Sequence, residues 1–121
     1  MDAIRRRADF LAAGRGALTV RAGCVLQAVM REGAASPGAP RFGFTVTQKI
    51  GNAVVRNRVR RRLRAAAKSA ALHGRPGADY VLVARSAALT LPLDRLVTDL
   101  IAGLAALAPA ARTKTGPSDG Q

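Results

Sequence analysis

No acidic residue stands between Glu32 and Asp79, yet that interval holds Arg41, Lys49, Arg56, Arg58, Arg60, Arg61, Arg62, Arg64, Lys68 and Arg75. Its densest part, KIGNAVVRNRVRRRLR at 49–64, places six arginines and a lysine in sixteen positions. A helix accommodates such a run only if one stripe of it is apolar. At 100° per residue, Val55, Val59, Leu63, Ala66 and Ala70 fall within a sector of roughly 80°, a side that can face a core. Asn57, Arg60, Arg61, Arg64 and Lys68 fall opposite, with Arg56, Arg58 and Arg62 on the flanks. Like charges this close weaken a helix by a few tenths of a kcal/mol per pair, and no acid is spaced to relieve them. A polyanionic partner would.

The chain of 121 residues is the size of one domain, expected over 1–108, and 49% hydrophobic residues exclude wholesale disorder. The formal net charge of +13 points to nucleic acid before an anionic membrane or an acidic protein. A merely solubilising surface would spread its charge rather than cluster it. A membrane-surface helix would carry Trp or Phe on its apolar side, where this one ends in alanines. A leucine zipper would continue in heptads, whereas HGRPG at 73–77 breaks the helix. Charge alone leaves RNA and DNA open. Cys24 is the only cysteine, which excludes an internal disulfide and suits a reducing cytoplasm. MDAIRRRADF lacks the apolar run of a signal peptide, and no stretch approaches the length of a membrane span.

Residues 5–16 predict a short helix ended by Gly14 and Gly16, and 22–30 a strand. The run 31–40, with two Pro and two Gly, reads as a loop. RFGFTVTQ at 41–48 alternates, Phe42, Phe44 and Val46 on one face and Gly43, Thr45 and Thr47 on the other. The chain turns at 49–51, and Asn52 is the expected N-cap of a helix running to about Leu72. HGRPGAD at 73–79 connects to the strand YVLVA at 80–84. Thr90 and Pro92 suit the start of a last helix with Leu93, Leu96, Val97, Leu100, Ile101, Leu104 and Leu107 at helical spacing, closed by Pro109. The stretch 109–121 has little to bury and reads as a disordered tail. Helices and strands in this order predict an α+β sandwich.

The segment FGFTVTQKIGNAVVRNRVRRRLR at 42–64, with Arg56, Asn57 and Arg58 at its centre, resembles the protein component of bacterial ribonuclease P. The likeness extends from RRRADFL through YVLVAR to the closing helix. It implies an α/β sandwich with three helices on a four-stranded sheet, and a left-handed β-α-β crossover around the RNR helix. It also implies a subunit of the endoribonuclease that removes the 5′ leader of precursor tRNA. In that family the RNR helix contacts the catalytic RNA, a cleft between the sheet and the first helix takes the single-stranded leader, and Mg2+ bound mainly by the RNA performs cleavage. Carried onto this chain, the RNA-binding set is Lys49, Arg56, Asn57, Arg58, Arg60, Arg61, Arg62, Arg64 and Lys68. The leader-binding set is Phe10, Val25, Gln27 and Thr45. The chain departs from the pattern at Gly14, where many relatives carry a second aromatic, at Gln27, where tyrosine is common, and at Gln48, where lysine is frequent. Thinner stacking on the leader is the consequence expected, with polar contacts carrying more of the affinity.

Protein-borne catalysis has no support in the residues. His73 reads as an exposed residue at a helix end, Cys24 as a small strand residue without a partner base, and Phe42 and Phe44 as core. The seven acids are scattered, with Asp2, Asp9, Glu32, Asp79 and Asp119 expected in terminal or loop-like settings. No catalytic residue and no protein metal site are therefore expected. The alternatives are a ribosomal or general structural RNA-binding protein using the same basic helix, and a helix that binds duplex DNA.

Overall fold

The computed structural model describes residues 1–31 and 38–111. Four strands form the body of one sheet: β2 (Ala17–Val20), β3 (Cys24–Met30), β4 (Arg41–Thr45) and β5 (Ala78–Ala84). Two-residue strands β1 (Asp2–Ala3) and β6 (Ala110–Ala111) pair with β4 and β3, and the order is β1-β4-β5-β3-β2. The expected four-stranded sheet is thus enlarged by two pairs too short to show any side-chain alternation in sequence. Backbone partners create them, as where Ile4 N donates to Phe42 O at 2.9 Å. The β6 pairing also keeps the chain on the sheet beyond 109, where the tail is expected to begin; the rest of that tail, 112–121, lies outside the described residues.

β4 and β5 are parallel neighbours joined through α2 (Ala53–Ala70), the β-α-β unit anticipated around the RNR segment. β2 and β5 flank β3 antiparallel. α2 starts where Asn52 Oδ1 accepts from Val55 N at 3.0 Å, as its N-cap role requires. Gly51 precedes it at φ 154°, a conformation that side chains resist, and an added Cβ would also lie 2.9 Å from Val55. The helix passes at Ala71–His73 into a 3-10 turn.

Strand alternation sends one set of side chains to each face. Leu26, Ala28, Phe42, Tyr80 and Leu82 meet Val59, Leu63, Ala66, Ala67 and Ala70 of α2 and Leu96, Leu100 and Leu104 of α3 (Leu93–Ala106). Phe42 and Tyr80 stack with centroids 5.4 Å apart. Burial of Val59 and Leu63 contributes about 1.5–3 kcal/mol each, enough to offset several like-charge contacts on the outer side of α2. On the opposite face α1 (Arg7–Gly14) lies over Val29 and Val81, with Ile4, Ala12 and Ala13 completing a smaller cluster.

Two acids expected in terminal or loop-like settings are instead buried, Asp9 within the helix predicted over 5–16. Asp9 sits in α1, and Asp79 is fully buried in β5, which begins at Ala78 inside the expected connection. Asp79 accepts two bonds from Arg41, Nε to Oδ1 at 2.8 Å and Nη2 to Oδ2 at 2.6 Å, and a third from Arg31 Nη1 at 3.0 Å. Arg41 Nη2 also reaches Asp9 Oδ2 at 3.3 Å. The hydrogen bonds to Asp79 raise the pKa of Arg41 above its ordinary value, against the opposing effect of burial. Removing the carboxylate would leave Arg31 without its anion and Arg41 with only the longer contact to Asp9. Asp79→Ala is expected to cost about 3 kcal/mol in denaturant unfolding, the lower end for breaking a buried pair because Arg41 keeps some access to water.

Candidate nucleic-acid interface

The arginines of α2 divide by what they touch. Arg62 turns inward, its Nε donating to Ala88 O at 2.8 Å and its Nη2 to Leu91 O, which ties the helix to the segment leading into α3. Arg56 Nη1 donates to Gly51 O at 2.8 Å and holds the turn before the helix. Arg60 Nη1 donates to Asn57 Oδ1 at 3.1 Å, which orients both side chains along one ridge. Arg64 lies over the Phe44 ring, 5.7 Å from its centroid, an arrangement that steadies the guanidinium without neutralising it. Asn57, Arg58, Arg61, Arg64, Lys68 and Lys49 are exposed.

Ion pairs among the described residues join Arg21 to Asp99, Arg31 to Asp79, and Arg41 to Asp9 and Asp79. None involves α2. Asp9, Asp79 and Asp99 are spent on arginines that hold the fold, and the outer side of α2 keeps its positive charge. Asp99 shows the same use: burial alone would raise its carboxyl pKa, but bonds from Arg21 and Ala22 N hold it below the ordinary value.

The other predicted set meets on the opposite side of the sheet. The registers align Thr45, Val83, Val25 and Val20 in one rank and Gly43, Val81, Gln27 and Leu18 in the next. α1 covers the second rank at Gly43 and Val81. Phe10 rests on Gly43, where an added Cβ would come within 2.6 Å of its ring, so glycine is what lets the aromatic lie against β4. Phe10, Val25, Gln27 and Thr45 therefore border one shallow open area, reached from beside α1. Val83, at the centre of its rank, and Leu18 and Val20, which are 55% and 58% exposed, belong to the same area although they are absent from the predicted set. ALTV is too short to read as a strand, and only its pairing with β3 shows which way those two side chains point. Arg7 of α1 and Arg15, the residue that follows it, are exposed, and RRR at 5–7 is visible in the sequence.

Cys24 is buried, and that burial pushes its thiol up to about 12. His73 is exposed at the end of its 3-10 turn. No group of three or more His, Cys, Asp or Glu able to hold a metal ion occurs among the described residues. What these surfaces offer chemically is charge, a donor-rich helix and an apolar floor.

The ribonuclease P family profile matches residues 2–108. The ribonuclease P protein component of Ruegeria pomeroyi is 43% identical over 102 residues, covering 83% of this chain and 81% of that protein. That of Bartonella quintana is 46% identical over 101 residues, 80% of this chain and 76% of the relative. The solved RNase P protein of Thermotoga maritima superposes with a TM-score of 0.71 over 87% of this chain and 96% of its own, at 21% identity. That of Staphylococcus aureus gives 0.68 over 86% and 93%, at 25% identity.

Two variants on one helix should separate holding from binding. Arg62→Ala is expected to lower unfolding free energy by about 1–3 kcal/mol by orphaning two carbonyls, whereas Arg61→Ala stays within about 0.5 kcal/mol of wild type. A second expectation concerns alkali. The unfolded Cys24 thiol ionises near 9.0 and the folded one only at about 12, so its share of stability is complete below pH 9.0 and lost between the two. Thermal melts of Cys24→Ala should show a shallower loss over that window than wild type.

Proposed function

The chain belongs to the ribonuclease P protein family, and on that footing we propose a division of labour between its two surfaces. The protein is an RNA-binding subunit of ribonuclease P, the ribonucleoprotein that removes the 5′ leader from precursor tRNA. The outer side of α2 docks the catalytic RNA. Arg58, Arg60, Arg61, Arg64, Lys68 and Lys49 meet its phosphates, with Asn57 beside them. Arg56 and Arg62 hold the helix in place, and Arg56 keeps its remaining nitrogens for the same RNA. The observation that carries this reading is the absence of any described acid paired to α2.

The open area beside α1 takes the single-stranded leader. Phe10 gives it a wall, Val25, Thr45 and Val83 a floor, and Gln27 a hydrogen-bonding group. Single-stranded RNA suits such a site because its bases are free to leave the stack and lie on protein. By holding the leader the protein favours precursor over mature tRNA. By neutralising phosphates it lets the RNA partner bind substrate and Mg2+ more readily. Of the described carboxylates, Asp9, Asp79 and Asp99 are each engaged by an arginine rather than open to a cation. In this proposal Mg2+ is held by the RNA, where it supplies the cleavage chemistry. No helix among the described residues is long and apolar enough to cross a membrane. The assembly is assigned to the cytoplasm, where a lone reduced Cys24 is at home.

Reconstitution at low Mg2+ tests both surfaces. Added protein should stimulate 5′ cleavage by the ribonuclease P RNA, and six phosphate contacts, five on α2 and one at Lys49 before it, imply a log-log salt slope of about −4 for its binding. Arg60→Ala should weaken assembly and reduce that slope by about 0.7. Phe10→Ala should leave assembly intact and shrink the preference for precursor over mature tRNA. Absence of stimulation would instead favour a general structural RNA-binding protein, and tighter binding to duplex DNA a DNA-binding one.

A further inference from the structure

Arg62 joins α2 to a feature that neither proposed surface uses. Its Nη2 donates to Leu91 O, and Leu91 forms one wall of a groove of about 200 Å3 between the β2–β3 turn and α3. Ala22, Leu91 and Ala102 give the groove its apolar walls, and Arg95, Thr98 and Asp99 its polar ones. Arg95 is exposed and makes no ion pair among the described residues. Thr98 Oγ1 spends its hydrogen on Asp94 O at 2.9 Å, which leaves it only lone pairs to offer. Asp99 Oδ1 accepts from Arg21 and Oδ2 from Ala22 N, and each oxygen keeps a further lone pair. The groove thus combines an apolar slot, a planar cation and a set of hydrogen-bond acceptors. A flat ring bearing an amino group matches all three. Arg58 stands one turn before Arg62 on the same flank of α2 and is exposed, so the basic side of that helix runs towards the groove. Asp94 and Asp99 disfavour a phosphate inside, which leaves the ring to enter while its backbone passes outside beside Arg95 and Arg58.

We propose that the groove between the β2–β3 turn and α3 receives one unpaired, amino-bearing base of the RNA that docks on α2, with the Arg95 guanidinium stacked on its face; this rests on the reading of α2 as the RNA dock. It adds a base-selective contact to one made through phosphates. Bases splayed out of loops and bulges are held in this manner, against a guanidinium plane and with their edges hydrogen-bonded. The amino groups of adenine, cytosine and guanine are donors that Thr98 Oγ1 and Asp99 accept. Uracil has no amino group, and its two carbonyls would face those acceptors.

The test uses the full chain and the ribonuclease P RNA without substrate, so that no leader is present. Binding titrations give the affinity, and base-specific chemical probing shows which RNA bases the protein covers. Ala102 is exposed on α3, and Ala102→Leu fills the groove without changing charge. It should weaken binding about 10-fold and leave the salt slope as in wild type. Arg95→Ala should weaken binding by a similar factor. In both variants one amino-bearing base covered by wild type should become reactive, while bases covered by α2 stay covered. Changing that base to uracil should weaken binding of wild type about 10-fold and of Ala102→Leu by less than about twofold. Ala105→Leu, one turn beyond the groove on α3, should match wild type. Binding of both groove variants within about twofold of wild type would overturn the inference, as would an equal loss in Ala105→Leu or an unchanged pattern of covered bases. Wild-type protein that fails to bind the RNA would overturn the reading of α2 itself.

Discussion

A single buried carboxylate governs how this small domain is put together. Asp79 lies in the middle of the sheet, where an ionised group is tolerated only with its charge met and its oxygens hydrogen-bonded. Arg41 meets it from β4 with a two-bond fork, and Arg31 from the end of β3. Arg41 extends the connection to Asp9 of α1. Three strands and a helix are thereby pinned around one anion, and the position of α1 on the sheet follows. With α1 anchored at this end, it lies over Val29 and Val81, Val83 packs at the margin of that cluster, and Val25 lies outside it. The open area is what remains of the face once that anchor is satisfied.

The same interaction explains how a chain with net charge +13 folds without giving up its positive field. Acids within the fold sit opposite structural arginines: Asp79 and Asp9 at one end, Asp99 with Arg21 near α3. Other arginines are retained by carbonyls, as Arg62 is by Ala88 and Leu91 and Arg85 by Arg21 O. The outer side of α2 has neither. Its repulsion is carried by the apolar stripe beneath, so folding energy from Val59 and Leu63 keeps in place a surface that only a polyanion can neutralise.

Because strand side chains alternate, the sheet separates the two proposed contacts. α2 and α3 cover one face, α1 part of the other, and the layer of strands stands between the basic helix and the leader area. Arg64 lies above Phe44, which β4 contributes to the helix side, while the next residue, Thr45, goes to the open side. On the proposed reading, scaffold RNA and substrate are held on different sides of the sheet, so that neither displaces the other.

Local periodicity made much of this legible in the sequence. The α2 stripe, the Asn52 cap, the alternation of Phe42, Gly43, Phe44 and Thr45, and the leucine spacing of α3 each depend on residues a few positions apart, where helix and strand geometry alone decide orientation. Family likeness supplied the roles of Phe10, Val25, Gln27 and Thr45, and Thr45 agreed independently with the strand pattern. Tertiary structure alone decided which arginines are free, because the partners of Arg41, Arg62 and Arg21 lie 38, 26 and 78 residues away. It likewise decided that ALTV is a strand and that Asp9 and Asp79 are interior. In each case the outcome depends on strand register and on the reach of a long side chain across the fold, and neither is encoded in neighbouring residues.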